Sequence, residues 1–293
     1  YMLIISIIGG LGNQMFQYAV GRALSLKRDV SLRLDIFGFA NYRLHQGFEL
    51  QRVFDCPAEI ATVADLRGIL GWQFSSGIRR VVAHPGMAVF RRSGFIVEPH
   101  FHYWPEISDV PKDGYLLGHW QSEKYFRDVA SVIRADFTFK SPLANRNAEL
   151  AEQICQVDAV SLHVRRGDYA KNPKTNAMHG LCSLDYYRAA IYYISDRVKQ
   201  PYFFIFSDDI SWVKDNLKMD LPCQYVDHNQ GAESYNDMRL ISLCRHHIIA
   251  NSSFSWWGAW LNPNPDKIVV APKKWFANGS NVKDLFPREW VTL

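Results

Sequence analysis

The sequence predicts an α/β protein with two Rossmann-like domains, whose parallel sheets face each other across a cleft. Short apolar segments alternate with segments of helical periodicity, and a glycine turn joins the first such pair. A polar stretch from Ser141 to Arg146, which includes a proline, divides the chain. The predicted domains are therefore residues 1–145 and 146–293, with the possibility that the final residues pack back on the first domain.

The N-terminal residues predict the opening of a βαβ unit. An apolar strand is expected from Met2 to Ile8, followed by glycines and a helix from Asn13 to Arg28. A second strand is expected from Val30 to Leu34, and the helix that connects the two strands favours a parallel sheet. Residues 37–111 mix glycine, proline, aromatic residues and basic pairs, so loops and irregular elements are expected there.

The rest of the chain alternates more regularly. A strand is expected at Leu116 and Leu117, and Ser122 has the character of an N-cap for a helix that continues to about Ala135. Beyond the boundary, the predicted strands are 159–164, 202–206, 224–226, 247–250 and 267–270, with helices that start near Ser183, Ser211, Tyr235 and Ser253. This order is typical of a doubly wound domain.

Composition narrows the function classes. The 293 residues carry a formal net charge of +4, which is too small to indicate a nucleic-acid-binding protein. No apolar run approaches the roughly 20 residues that cross a bilayer, and the N-terminus lacks the pattern of a signal peptide. The five cysteines are odd in number and without CxxC spacing, which suits a reducing compartment. A cytoplasmic protein is expected.

Polar groups follow four predicted strands, which is where parallel sheets place ligand-binding loops. The first group is the glycine turn Gly9-Gly10-Leu11-Gly12 with Asn13 and Gln14. Glycines allow a ligand to approach the backbone, and the following helix offers amide groups to an anion or a sugar hydroxyl. Gly10, Gly12, Asn13 and Gln14 are therefore candidate binding residues, although a plain strand-to-helix turn would have the same composition.

The second group is His163-Val164-Arg165-Arg166-Gly167-Asp168. Two adjacent guanidinium groups are costly to bury without an anion, and each matches a diphosphate in shape. His163, Arg165 and Arg166 are predicted to bind phosphate or nucleotide. The alternative is structural, with Arg166 paired to Asp168.

The third group is Asp208 and Asp209, which follow an apolar strand. A carboxylate at this position can accept hydrogen bonds from guanine or from a ribose hydroxyl. It can equally cap the helix that follows, so both functions stay open for each aspartate.

The fourth group is Asn251-Ser252-Ser253-Phe254, at the start of a helix that also carries Trp256, Trp257 and Trp260. Hydroxyls and free amides at a helix N-terminus form an anion site, so these four residues are candidate phosphate contacts. The tryptophans are expected in the core.

No pair of aspartates has the Asp-x-Asp spacing with which many sugar transferases hold a metal ion. The histidine pairs at 100 and 102 and at 246 and 247 lack the other ligands of a zinc site. The sequence therefore predicts no metal and no cofactor, with arginines and helix ends neutralising a departing diphosphate.

Three segments resemble the α-1,2-fucosyltransferases, within the wider group of α-1,2, α-1,6 and protein O-fucosyltransferases: GGLGNQMFQYA at 9–19, HVRRGDY at 163–169 and YNDMRLISLCRHHIIANSSFSWWGAWL at 235–261. The resemblance implies a GT-B architecture, with an acceptor-side first domain and a GDP-sugar-binding second domain. It also implies metal-independent, inverting transfer of fucose from GDP-β-L-fucose to the 2-hydroxyl of a galactose.

The same resemblance implies roles for single residues. Arg165 would hold the β-phosphate with support from Arg166, and Ser252 and Ser253 would join the phosphate site. His163 and one of Asp208 and Asp209 would contact the guanosine, and Asn13 would face the cleft.

Asp168 is a candidate general base, although late deprotonation of the acceptor needs none. The expected partners are GDP-fucose and a galactose-containing oligosaccharide or lipid-linked glycan such as an O-antigen. No nucleic acid is expected as a partner, and an acceptor of this kind would allow a peripheral position at the inner face of the membrane. Alternatives are a transferase of another linkage or another GDP-sugar, and a noncatalytic sugar- or nucleotide-binding protein.

Overall fold

A computed structural model describes residues 1–41, 45–167, 170 and 172–293. The chain divides into two compact units. The first is Tyr1–Lys140 with Val282–Leu285, and the second is Ser141–Asn281 with Phe286–Leu293. Within the described residues the last strand, Val291–Thr292, pairs in the sheet of the second unit, whereas the short segment Val282–Leu285 belongs to the first.

In the described part of the first unit, five parallel strands form one sheet in the order β3-β2-β1-β5-β4. The strands are β1 Met2–Ser6, β2 Ser31–Asp35, β3 Glu59–Ile60, β4 Phe95–Val97 and β5 Gly114–Leu117. The helices are α1 Leu11–Arg28, α2 Leu50–Val53, α3 Val63–Leu70, α4 Ser76–Ala83 and α5 Ala130–Asp136. The central strand β1 is almost entirely buried, as expected for a parallel sheet covered by helices.

In the described part of the second unit, six parallel strands form a sheet in the order β11-β10-β9-β6-β7-β8. The strands are β6 Asp158–Val164, β7 Pro201–Ser207, β8 Cys223–Val226, β9 His246–Ile248, β10 Val269–Ala271 and β11 Val291–Thr292. The helices are α6 Asn145–Cys155, α7 Pro173–His179, α8 Leu184–Ser195, α9 Ile210–Asn216, α10 Tyr235–Leu243 and α11 Ser253–Leu261. The predicted alternation in this half of the chain is confirmed, and the predicted boundaries differ from the observed ones by at most two residues.

Two predictions for the first half were incomplete. The region 37–111 contains β3, β4 and three helices, all too short to show a clear periodicity in the sequence. The helix expected from Ser122 begins instead as two separate 3-10 turns before α5. Phe126 lies between the turns with φ −135° and ψ 6°, and its buried ring contacts Phe16 at 6.4 Å between centroids. Burial of this ring overrides the local helical preference.

Candidate functional site

The sheet of the second unit brings three of the predicted polar groups together. β6 lies between β7 and β9, with Val164 opposite Ser207 and Leu162 opposite Ile248. Because all three strands are parallel, the segments that follow them leave the same edge of the sheet side by side. The groups after residues 164, 207 and 248 therefore form one cluster, although they are about 40 residues apart in sequence.

Arg165 and Asp208 form the ion pair at the centre of this cluster. The Arg165 guanidinium nitrogen lies 3.0 Å from Asp208 Oδ2, and both side chains are about three-quarters buried, with exposed fractions of 23% and 25%. The other carboxylate oxygen accepts a hydrogen bond from the Arg166 amide at 2.8 Å. Gly167 packs against the same carboxylate, since a Cβ at this position would lie 2.5 Å from Asp208 Oδ2. Asp208 therefore ties the loop after β6 to the loop after β7.

Arg166 has a different environment. Its guanidinium carbon lies 3.7 Å from the centre of the Trp212 ring, a cation–π contact, and its Nε is 3.8 Å from Asp209. Asp209 is the N-cap of α9, with Oδ1 accepting from the Trp212 amide at 3.2 Å. Of the two functions left open for the aspartates, helix capping is confirmed for Asp209. Trp212 was missed, because a tryptophan within a predicted helix is normally assigned to the core.

His163 lies near the end of β6 and is buried. Its side chain is 6% exposed and its ring lies 5.8 Å from the ring of Phe254. Burial lowers the pKa of His163 to about 4; the Asp208 carboxylate opposes this shift and the Arg165 guanidinium adds to it. The imidazole is thus neutral at physiological pH. Its Nδ1 has no hydrogen-bond partner among the described residues, which is unusual for a buried polar atom.

The N-terminus of α11 borders the same cluster. Ser252 is its N-cap but makes no side-chain capping hydrogen bond, so the first amides of the helix retain their capacity to donate. Phe254 from this helix reaches His163. Asn251 has a structural position: it is buried, and its Nδ2 donates to the carbonyls of His179, Gly180 and Trp275 at 3.0–3.3 Å. Trp256, Trp257 and Trp260 are buried, which confirms their predicted place in the core.

A further polar group follows β8 and was not predicted. Asn229 donates to Asp237 at 2.8 Å, and Asn147 hydrogen-bonds to both Asn229 and His228 at 2.7–3.0 Å. Burial raises the pKa of Asp237 to about 7, while the hydrogen bond from Asn229 opposes the shift. The signal was present in the sequence as Asp227-His228-Asn229 directly after a predicted strand. Since β8 neighbours β7, these residues extend the polar edge of the sheet.

A buried side chain, that of Gln14, holds the glycine turn of the first unit in place. α1 begins at Leu11 and not at Asn13, and the amides of Asn13 and Gln14 both donate to the Gly10 carbonyl. The buried Gln14 side chain donates to the carbonyls of Gly9 (2.9 Å) and Gly47 (2.7 Å). Its Oε1 accepts from the Glu49 amide at 2.9 Å. Gln14 thus clamps the loop, whereas Gly10, Gly12 and Asn13 remain candidate ligand contacts.

Glu98 stands at the carboxyl end of β4, a place the sequence prediction left unassigned. Its two carboxylate oxygens accept from the amides of His119 (2.7 Å) and Trp120 (2.9 Å). Burial raises the pKa of Glu98 to about 7 despite these two hydrogen bonds. Trp120 has φ +56°, a left-handed conformation that is rare for a bulky residue. Glu98 therefore holds a strained turn next to the ends of β1 and β5.

Asp168, the candidate base, lies outside the described residues. Within the described ranges, no group of three or more His, Cys, Asp or Glu side chains is arranged to hold a metal ion. The histidine pairs have structural contacts: the rings of His100 and His102 stack at 3.6 Å, and His247 bonds to Ser161 and Asn262, each at 2.8 Å.

The architecture is similar to that of a solved glycosyltransferase. The crystal structure of NodZ alpha-1,6-fucosyltransferase soaked with GDP-fucose matches with a TM-score of 0.55 and 16% sequence identity, over 89% of this chain and 92% of that one. At this identity the likeness concerns the fold. Two Rossmann-like units, each with a parallel sheet, together with this likeness define a protein of the GT-B type.

Sequence comparison gives the family. Residues 103–293 match the family described as glycosyl transferase family 11. Two relatives from Escherichia coli are each 36% identical: an alpha-1,2-colitosyltransferase, over 100% of this chain and 99% of its own length, and the O-antigen biosynthesis glycosyltransferase WbnK, over 97% and 98%. This chain belongs to glycosyl transferase family 11. None of the helices in the described ranges has the length and apolar character required to cross a membrane.

Proposed function

We propose that this enzyme transfers L-fucose from GDP-β-L-fucose to the 2-hydroxyl of a terminal galactose in a glycan, with inversion and without a divalent metal. Three motifs that resemble those of the α-1,2-fucosyltransferases support the sugar and the donor. The α-1,2 linkage is also part of the name of the colitosyltransferase relative, and an O-antigen glycan acceptor is suggested by the other. Such an acceptor, attached to a lipid carrier, would bring the enzyme to the cytoplasmic face of a membrane.

One observation carries the proposal: the arginine cluster at the sheet edge, in which Arg165 and Arg166 each lie near an aspartate, has buried polar atoms without a hydrogen-bond partner among the described residues. His163 Nδ1 and Arg166 Nε are buried without a hydrogen-bond partner in the described part of the chain. The N-terminus of α11 lies beside them without a side-chain cap. Groups of this kind suit a nucleoside diphosphate, because an unpaired buried polar atom costs about 1–3 kcal/mol that a ligand can recover.

Fucosyl transfer places negative charge on the departing GDP as the bond to the sugar breaks. A guanidinium fixed before the reaction stabilises that charge more in the transition state than in the ground state. Asp208 fixes Arg165 through the 3.0 Å ion pair, and we assign it a positioning function. Helix amides at the start of α11 add further donors toward the phosphates.

The experiment is transfer from GDP-fucose to lactose and to a panel of β-galactosides, with the product linkage determined. Arg165→Ala is expected to lower kcat by roughly a hundredfold or more, which corresponds to about 3 kcal/mol in the barrier. Arg188→Ala removes a more exposed arginine from α8 and is the matched control. Near wild-type turnover of Arg165→Ala, with both variants folded, would refute the site. An affinity for GDP-fucose without any turnover would instead favour a binding protein.

Two additional experiments test the metal independence and the candidate base. EDTA should leave transfer unchanged, and loss of activity that manganese restores would overturn the metal-independent mechanism. Asp168→Asn tests the candidate base: a fall in kcat with little change in KM for GDP-fucose is expected, and unchanged kcat removes Asp168 from the mechanism.

A second donor sugar is favoured by a specific observation. Full-length identity of 36% to an alpha-1,2-colitosyltransferase makes colitose the alternative to fucose. The ratio of kcat/KM for GDP-fucose and GDP-colitose, measured with one acceptor, decides between them. The arginine cluster would have the same function with either sugar, since it would contact the nucleotide side of the donor.

A further inference from the structure

One stretch of the first unit has an unusual charge. Residues 66–97 contain no aspartate or glutamate, but they contain five arginines and a histidine. The whole chain, by contrast, has nearly balanced charges, with 33 basic and 29 acidic residues. Three of the five arginines have contacts inside the unit: Arg79 pairs with Asp35, Arg91 donates to the carbonyls at the end of α4, and Arg67 lies over the ring of Phe74. Arg67, Arg80 and Arg92 are exposed.

The same stretch exposes large apolar side chains. Seven of these on the described part of the chain are more than half exposed, namely Tyr1, Trp72, Val81, Val89, Phe90, Met178 and Tyr192, and four of the seven lie between residues 72 and 90. Val89 is 86% exposed and Trp72 is 58% exposed. Exposed apolar residues that occur singly need no explanation, whereas a group of them marks an interaction surface.

Buried hydrogen bonds hold this surface in place. Gln73 is fully buried; its Nε2 donates to the Phe90 carbonyl at 2.6 Å and its Oε1 accepts from the Arg92 amide at 3.2 Å. The turn that carries Trp72 is thereby joined to the end of the segment that carries Val89 and Phe90. The helix α4, which carries Arg80 and Val81, packs against both. We call this surface the basic apolar patch, and it consists of Trp72, Arg80, Val81, Val89, Phe90 and Arg92.

We propose that the basic apolar patch docks the enzyme on the surface of an anionic lipid bilayer. Apolar side chains enter the boundary between headgroups and acyl chains, while arginines attract anionic headgroups. Charge complementarity favours this occupant. A second copy of the chain, joined by a two-fold axis through the patch, would bring its arginines together without a carboxylate from the patch to neutralise them. The inference goes beyond the proposed transfer reaction, because it concerns where the enzyme is held.

The test is cosedimentation of the full chain with vesicles, in the absence of donor and acceptor. Binding is expected to vesicles of phosphatidylethanolamine with phosphatidylglycerol, to be much weaker to phosphatidylcholine alone, and to weaken as salt is raised. Each basic residue near an anionic surface changes binding roughly fivefold, so the double variant Arg80→Gln with Arg92→Gln should bind roughly 25-fold more weakly. Phe90→Ser should lower binding by roughly tenfold.

Matched controls come from the second unit. Tyr192→Ser removes an aromatic ring that is 74% exposed, and Lys199→Gln removes an exposed positive charge. Both should bind vesicles as the wild type does, and all patch variants should retain transfer to a soluble β-galactoside. The proposal is overturned if the chain does not bind anionic vesicles, or if patch and control variants bind equally. It is also overturned if the patch variants alter the sedimentation of the free protein, because the patch would then be an interface between copies. The vesicle-binding and sedimentation outcomes do not depend on transferase activity.

Discussion

The buried imidazole of His163 should make the protein less stable in mild acid. An unfolded histidine has a pKa of about 6.5, whereas burial lowers the pKa of His163 in the folded protein to about 4. At pH 7 both states are mostly neutral. As the pH falls below about 6.5 the unfolded state binds a proton at this histidine, whereas the folded state stays neutral. The free energy of unfolding therefore decreases until the pH reaches about 4.

The size of this effect follows from the two pKa values. At pH 5 about 97% of the unfolded chains carry the proton on this residue but only about 9% of the folded chains do, which lowers the free energy of unfolding by about 2 kcal/mol relative to pH 7. The measurement is urea unfolding at both pH values for the wild type and for His163→Gln, which cannot take up the proton. The difference between pH 7 and pH 5 should be about 2 kcal/mol smaller in the variant.

Measuring both proteins at both pH values separates the effect of protonating His163 from the other effects of the substitution. His246 and His247 also have pKa values lowered by burial, and their contribution is the same in both proteins. A loss of packing in His163→Gln lowers stability at both pH values equally. The exposed His84, replaced by glutamine, is the control. If the wild type and His163→Gln lose the same stability between pH 7 and pH 5, the buried neutral imidazole is refuted.

Three further substitutions test individual contacts. Gly167→Ala places a Cβ 2.5 Å from Asp208 Oδ2, so kcat for fucosyl transfer should fall roughly tenfold with little change in melting temperature; unchanged kcat would mean that the pair can shift freely. Gln14→Leu leaves the carbonyls of Gly9 and Gly47 and the amide of Glu49 without their partner, and urea unfolding should record a loss of about 3 kcal/mol. Gly258→Ala places a Cβ 2.5 Å from Ile241 Cγ2, so the free energy of unfolding should fall by about 1–3 kcal/mol while kcat stays nearly unchanged. A variant as stable as the wild type would contradict the close packing of α10 on α11.

The sequence was sufficient for the elements that bear on the candidate site in the second unit. β7 is an almost continuous apolar run and β6 is largely apolar, which is how buried parallel strands appear, and clusters of charged residues follow where both strands end. Strand ends could therefore be read locally, and the parallel order then placed His163, Arg165 and Asp208 at one edge. The strands of the first unit were harder to predict, since β3 has only two residues and β4 only three.

What the sequence could not supply is which partner each polar side chain has. Capping and ligand binding were both compatible with each aspartate. The structure shows that Asp209 caps the helix through a local hydrogen bond, whereas the adjacency of the loops after β6 and β7 brings Asp208 to Arg165. The stacking of Arg166 on Trp212 and the absence of a hydrogen bond to His163 Nδ1 also depend on how the described residues pack, and the sequence does not show them.

The amino-acid sequence by itself determined the family, the two parallel sheets and the chemical character of the polar edge, because periodicity, glycine turns and charge are properties of neighbouring residues. Tertiary structure alone decided that Gln14 clamps the glycine turn and that Gln73 joins the turn of Trp72 to the segment of Val89 and Phe90. These contacts join side chains to groups that are distant in sequence or on separate turns, so they exist only once the sheets and helices have packed.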